Sequence, residues 1–437
     1  MAAVVGLFAA SRQVRAQNDV QSPKRALPNY DGRGREEVQT PAYLWAARVP
    51  LAPLYFVHEF VLRRPLGAIT RAAERADIPR KAYDFFAFGP DHKAGVVPVG
   101  LIEFGFLPSV GLFGFWDDAF FLKGNKLRVH YEGWPDGFLS GDISDRIPIG
   151  RQSMLHVRFK GWERPDNVFY GIGPESEQDH QARFSSHRFD SFTMLQWMYW
   201  RFSKIELTLG LRKADFAASN WWGDPSIEQS AAVGRFPVPD GYVRGYTAPY
   251  GRGYVALDTR RSPDDSGVRV EGQVEYSADV AHGPSTGWVR YGGSATGFLD
   301  LHGQGRVLSL AVATSFADPL GRAPIPFTEL VMLGGDVWMT GFWRGRLLDR
   351  SSAVAALEYK WPIAAGLNAT MRGVVGNVFG THLERFEPRL FRLSAAFGFS
   401  TTTFPPLEML VGFGTDTFER GASIDSVRFS LGILERL

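Results

Sequence analysis

From about residue 95 to the C-terminus, apolar and polar residues alternate with period two in run after run. In Lys126–Glu132, Leu127, Val129 and Tyr131 face one way, while Lys126, Arg128, His130 and Glu132 face the other. Leu155, Val157 and Phe159 oppose His156, Arg158 and Lys160 in the same manner. Ile205, Leu207, Leu209 and Leu211 oppose Glu206, Thr208 and Arg212, and Val268, Val270, Val274 and Tyr276 oppose Arg269, Glu271, Gln273, Glu275 and Asp279. Alternation of this kind makes strands with one wet and one dry face. The runs reach about ten residues or more, beyond the usual five or six of a soluble sheet. Many end in an aromatic residue: Trp134, Trp162, Trp197, Tyr199, Trp200 and Trp361. A soluble sandwich would bury the apolar faces and leave the charged faces without a reason. Long strands with an apolar outside, a charged inside and aromatic ends describe a transmembrane antiparallel β-barrel. No stretch of 18 sufficiently apolar residues is present for a spanning helix, so a membrane crossing here has to be made by strands.

Sixteen strands are predicted, near 95–106, 109–122, 125–135, 138–148, 151–163, 182–199, 201–216, 252–262, 266–281, 285–299, 302–317, 351–362, 365–377, 390–402, 405–417 and 425–436. An even count is what single-chain bacterial barrels use. Tight connections (123–126, 148–151, 200–201, 362–366 and 403–406) alternate with long ones (164–181, 217–251, 318–350, 378–389 and 418–424). Short turns belong at the periplasmic end and long loops outside. The 48 glycines and the 14% aromatic and 22% charged residues suit many turns and two unlike surfaces. With no Cys, neither a disulfide framework nor a thiolate metal site is open to the chain. The net charge of +2, with both signs interspersed, leaves no footprint for nucleic acid.

One run breaks the pattern: Pro326-Phe327-Thr-Glu-Leu-Val-Met-Leu-Gly334-Gly335-Asp-Val-Trp-Met-Thr340-Gly341-Phe342. It carries no helical or strand period, yet it is too apolar and aromatic for disorder. A long ordered loop in a chain of short turns carries function. This one reads as a loop packed inside the barrel, entered from the outer side between strands eleven and twelve.

The first ten residues are apolar, and Val14-Arg15-Ala16 offers a small-residue cleavage site, so residues 1–16 read as a secretory signal with a missing basic region or as an ordinary frayed terminus. Residues 17–40 read as a flexible tether, and 40–77 as two helices, with Pro53 and Pro65 at first helical positions. Three parts follow: signal (1–16), tether and helical periplasmic extension (17–94), and barrel (95–437).

The spacing of Pro326-Phe327, Gly334-Gly335 and Gly341-Phe342 resembles the inward-folded loop of the outer-membrane insertase and translocator superfamily, also called the bacterial surface antigen family. Those are the barrels of the barrel-assembly machinery and of two-partner secretion. Asp258-Thr-Arg260 with Gly267 is similar to that family's Asp-x-Arg periplasmic turn, and Leu357-Glu358-Tyr-Lys-Trp-Pro362 to its Glu-Tyr-Arg-x-Pro strand end. Phe169-Tyr-Gly-Ile-Gly-Pro174 looks like an extracellular segment of its smaller members. The resemblance spans 95–437. It implies a monomeric outer-membrane barrel, in contact with outer-membrane lipid, that inserts or exports unfolded client polypeptides; a barrel-only relative acting as a passive channel or structural protein is the alternative. It also implies an Arg before Gly341, paired inside the lumen with an Asp of strand thirteen. Here those positions are Thr340 and, by alignment of the glycines, Val374. Losing one partner of a buried pair costs several kcal/mol, whereas losing both can be nearly neutral. The loop is therefore expected to be held differently, by packing of Trp338, Phe342 and Trp343 or by Arg344 or Arg346 reaching Glu358. Val243-Arg-Gly-Tyr246 repeats the family tetrad in another loop and reads as coincidence.

Neither a cofactor nor an enzymatic activity is expected. The nine His show no metal spacing, and no nucleophile elbow, phosphate loop or dinucleotide fingerprint is present. Asp142-Ile-Ser-Asp145 reads as a hydrated strand-end cluster in preference to a cation site.

Overall fold

In the computed structural model the alternating runs become sixteen antiparallel strands joined in one closed barrel. They are β1 Ala94–Glu103, β2 Ser109–Asp117, β3 Lys126–Trp134, β4 Phe138–Pro148, β5 Ser153–Phe169, β6 Ala182–Trp200, β7 Ser203–Ala218 and β8 Tyr246–Asp258. The second half comprises β9 Gly267–Ala278, β10 Gly287–Asp300, β11 Val307–Pro319, β12 Ser351–Ala364, β13 Leu367–Phe379, β14 Arg392–Thr401, β15 Leu407–Thr415 and β16 Ile424–Ile433. Each pairs with the next, and β16 closes on β1. Closure gives every strand a paired neighbour on both sides, the arrangement that lets strands lie in lipid. The structure describes residues 91–433 except 284–285, 302–304, 337, 365 and 403–406, and before them 84–89 and the single positions 64, 68, 72, 75 and 81. The expected signal segment, tether and most of the two N-terminal helices lie outside the described residues.

Side-chain burial runs opposite to that of a soluble protein. Val129, Tyr131, Ile143, Phe159, Leu195, Leu207, Leu209, Val270, Val274, Leu310, Leu357 and Val427 point outward and are exposed, while Arg128, Asp142, His156, Arg158, Glu275 and Arg428 are buried in the lumen. An apolar exterior around a charged interior needs an apolar solvent. Trp116, Trp197 and Trp200 are exposed near one end of their strands, as interfacial aromatics are. The four longest connections (170–181, 219–245, 320–350 and 380–391) share the other end, which by the outer-membrane rule faces outside. Asp142 faces the lumen, where Arg158 binds it. The three-residue spacing puts Asp145 on the opposite face of β4, so the two carboxylates cannot share a cation.

Two strands outrun their sequence-based boundaries, each through a proline. β5 continues past residue 163 to Phe169, with Pro165 lying inside a register irregularity between Arg164 and Asn167. β8 starts at Tyr246, well before 252, and its Pro249 sits opposite Leu211 of β7, beyond the last β9 pair at Tyr250–Ser277. Proline has no N–H to donate, so both positions spare the ladder a missing bond.

Candidate functional site

The chain enters the lumen after β11. Pro326 begins a single turn, Phe327–Glu329, that drops Phe327 among Phe169, Phe184, Phe216 and Tyr242, with ring centroids 5.0–6.2 Å apart. Glu329, 3% exposed, accepts hydrogen bonds from Tyr246 Oη at 2.7 Å and Arg212 Nη1 at 2.6 Å, and Arg290 lies 3.5 Å away. A short hairpin, Val331–Leu333 with Leu347–Asp349, then carries the tip of the loop. Glu329→Gln keeps the tyrosine contact but removes the charge facing two arginines. It is expected to lower the urea midpoint of unfolding by an amount equivalent to about 1–2 kcal/mol, read from tryptophan fluorescence.

The tip is a tight, internally bonded fold. Gly334 and Gly335 take φ of +102° and +77°; Gly334 N–H donates to Trp338 O at 3.2 Å, Gly335 N–H to Phe342 O at 2.9 Å and Phe342 N–H to Met339 O at 3.0 Å. Met339 and Phe342 are fully buried against the lumen faces of β12 and β13 through Val354, Ala356, Val374 and Val378. Val374, where the resemblance implied an aspartate, thus contributes an apolar surface to Met339 and Phe342. Thr340 is buried too, and among the described residues its hydroxyl finds no hydrogen-bond partner.

At Gly341 the loop backbone meets the barrel backbone. Its N–H donates to Ser394 Oγ of β14 at 2.8 Å. A Cβ on Gly341 would overlap the Phe413 carbonyl of β15 and stand 2.8 Å from Gly414 N. The wall answers with glycines of its own: a Cβ on Gly412 would sit 2.8 Å from Gly341 Cα, and one on Gly414 2.6 Å from the Phe342 ring. Contact this close exists only because none of the three positions has a side chain.

Charge holds the tip from the last strand. Arg428 of β16, 3% exposed, donates from Nη1 to Gly335 O at 2.9 Å, from Nη2 to Asp336 Oδ1 at 2.7 Å and from Nε to Glu103 Oε1 of β1 at 2.5 Å. The loop therefore carries the carboxylate and the wall the guanidinium, the reverse of the implied family pair. Arg346, 1% exposed, donates to Asp425 Oδ2 and Ser176 Oγ, each at 2.7 Å, and lies 4.7 Å over the Tyr170 ring. Gly173 N–H donates to Leu348 O at 2.9 Å, so the 169–174 segment buttresses the loop. Arg344 is exposed. Glu358 is not the loop's partner: Arg372 of β13, directly opposite in register, donates to it at 2.6 Å. Adjacent strands meet sooner than a loop arginine that has Asp425 within reach.

The loop tip stands beside the barrel's closure. β16 and β1 share three registered pairs among the described residues, Ser430–Glu103, Leu431–Ile102 and Gly432–Leu101. Trp343 packs on Phe106 at 5.5 Å, just beyond the end of β1. Across the molecule at a short turn, Asp258 binds its own neighbour: it accepts from Arg260 N–H and Nε at 3.0 Å and from Nη2 at 2.8 Å. Arg260 lies over Phe298, and a Cβ on Gly267 would meet Arg260 Cγ at 2.8 Å, so this motif clasps a turn and does not approach the loop.

The barrel is similar to BamA from Haemophilus ducreyi lacking POTRA domains 1-3, with TM-score 0.53 and 13% identity over 78% of this chain and 70% of that one. The chain shares the sixteen-stranded barrel fold of that protein. CdiB from Acinetobacter baumannii (TM-score 0.50, 13% identity, 78% of this chain) and CdiB from Escherichia coli (0.50, 11%, 77%) share it. This chain spans 60% and 62% of those two proteins. No family model and no curated protein sequence matches it. The residues that seat the loop here, Arg428, Asp336, Ser394, Gly412 and Gly414, were not singled out from the sequence. The available signal was small: a glycine at every second position, Gly412 and Gly414, on one face of β15, and a lone inward Arg in β16.

Proposed function

We propose that this outer-membrane barrel inserts or exports polypeptides, with the inward loop as its plug and the β1–β16 closure as the place where client strands engage. The observation that carries this is the shared anchor at the closure: Arg428 of β16 binds Glu103 of β1 and grips the plug through Asp336. When such a closure opens, its two edge strands become templates for another strand. The tightly packed loop argues against the alternative of a passive channel, since a conducting pore would have to displace it. Strand parity supports a periplasmic place for the N-terminal extension.

The chain has no cysteine, so a cross-link can be placed cleanly. Ile102→Cys with Leu431→Cys puts thiols on registered partners across the closure. Expressed in the native host, the oxidised double variant is expected to lose insertion or export of other outer-membrane or secreted proteins, and a reductant restores it. Full activity with the bridge verified on a non-reducing gel would end this reading.

A further inference from the structure

The lipid-facing belt has a notch. On β4 and β5, Gly141 and Gly161 are registered partners, and both lie on the outward face. A Cβ on Gly141 would meet nothing within 4 Å, and one on Gly161 only Arg188 O at 3.9 Å. In the row below, Ile143 and Phe159 occupy the corresponding positions and fill them. The result is an open groove of about 420 Å³, walled by Tyr131 and Leu139 on one side and Phe189 on the other. Its rim is charged, with Glu163, His187 and Asp215 one row nearer the long loops than the glycines and Lys213 level with Phe189. Glu163 and His187 lie 3.5 Å apart, and Lys213 and Asp215 3.2 Å apart, all outward on consecutive strands.

We propose that this groove binds one phospholipid whose headgroup carries both a phosphate and a primary ammonium, with an acyl chain laid over Gly141 and Gly161. Continuity decides the class of occupant: the groove opens in the apolar belt between side chains that already face lipid, so an acyl chain reaches it without crossing water. Rim chemistry decides the headgroup. Lys213 offers an ammonium to the phosphate, but it is outnumbered by the carboxylates of Glu163 and Asp215. A purely anionic headgroup would meet that excess of negative charge, whereas a headgroup ammonium neutralises it. The groove is remote from the plug and the closure, and its occupancy does not depend on what the barrel transports.

Native mass spectrometry of the full chain in detergent, titrated with palmitoyl-oleoyl phosphatidylethanolamine or phosphatidylglycerol, tests this. One phosphatidylethanolamine molecule should be retained after collisional removal of detergent, with phosphatidylglycerol retained at least several-fold less. Gly141→Leu and Gly161→Leu fill open space on a strand face, so both should fold with unchanged heat-modifiable gel mobility. A Leu in that space removes the acyl chain's packing contacts, so retention by either variant should fall severalfold. Lys213→Ala should narrow the preference between the two lipids. Equal retention by the glycine variants, or equal retention of the two lipids by the parent, overturns the proposal. So does a bound peptide or detergent molecule that the same variants release.

Discussion

Gly341→Ala is expected to expel the inward loop from the barrel. The new methyl group would overlap the carbonyl of Phe413 and crowd Gly414 N, both in the backbone of a strand bonded on either side. Overpacking typically costs 1–3 kcal/mol. Backbone atoms in a closed sheet yield little, which sets this case near the top of that range. At about 3 kcal/mol the ratio of seated to unseated loops falls roughly a hundredfold. Two measurements read the change. Single-channel conductance in a planar bilayer should rise from small, infrequent openings to a steady level. Protease added to intact cells should cleave within 334–346, which the parent protects. Gly297→Ala serves as the control, because a Cβ there meets nothing within 4 Å. Parent-like conductance and protection in Gly341→Ala would show that the loop does not rest on β15.

That contact also marks the division between what a sequence can and cannot reveal here. Strand number, parity and facing were legible because lipid outside and charge inside impose period two on every strand, as in Leu207, Leu209 and Leu211 against Thr208 and Arg212. The inward course of 326–342 was legible because an aromatic, glycine-bearing run without a period has nowhere stable to go except a lumen. Strand ends were lost where Pro165 and Pro249 imitate loops; a bulge and a one-sided register accommodate them, and neither shows in the residue order. The means of holding the loop was hidden for a different reason. Glu103, Ser394 and Arg428 come from three strands, and only barrel closure brings β1 beside β16. Alternation says that Arg428 points inward, but not at what height it meets Asp336. The expected Glu358 contact failed on register: a directly opposed Arg372 was closer than anything the loop could extend.

Arg428→Met should be the most destabilising side-chain truncation in the lumen. Its guanidinium joins three separate parts of the chain: β16, Glu103 at the end of β1, and the loop through Asp336 and Gly335 O. The Arg428 and Glu103 side chains are 4% and 16% exposed, while Asp336 is 49% exposed. Breaking a buried pair by removing one partner costs about 3–5 kcal/mol, whereas an exposed partner contributes about 1 kcal/mol or less. The expected order of loss in urea midpoint is therefore Arg428→Met, then Glu103→Gln, then Asp336→Asn. Arg428→Met with Glu103→Leu should recover much of the single variant's loss, because no buried charge is then left unpaired. Recovery of stability separates from recovery of coupling: the double variant has an apolar closure and a loop tip without its Arg428 clamp. It should show parent-like resistance to urea yet conduct steadily, while Asp336→Asn retains a seated loop through the bond to Gly335 O. If Asp336→Asn instead matches Arg428→Met in both readings, the exposed carboxylate and not the buried junction ties the plug to the closure.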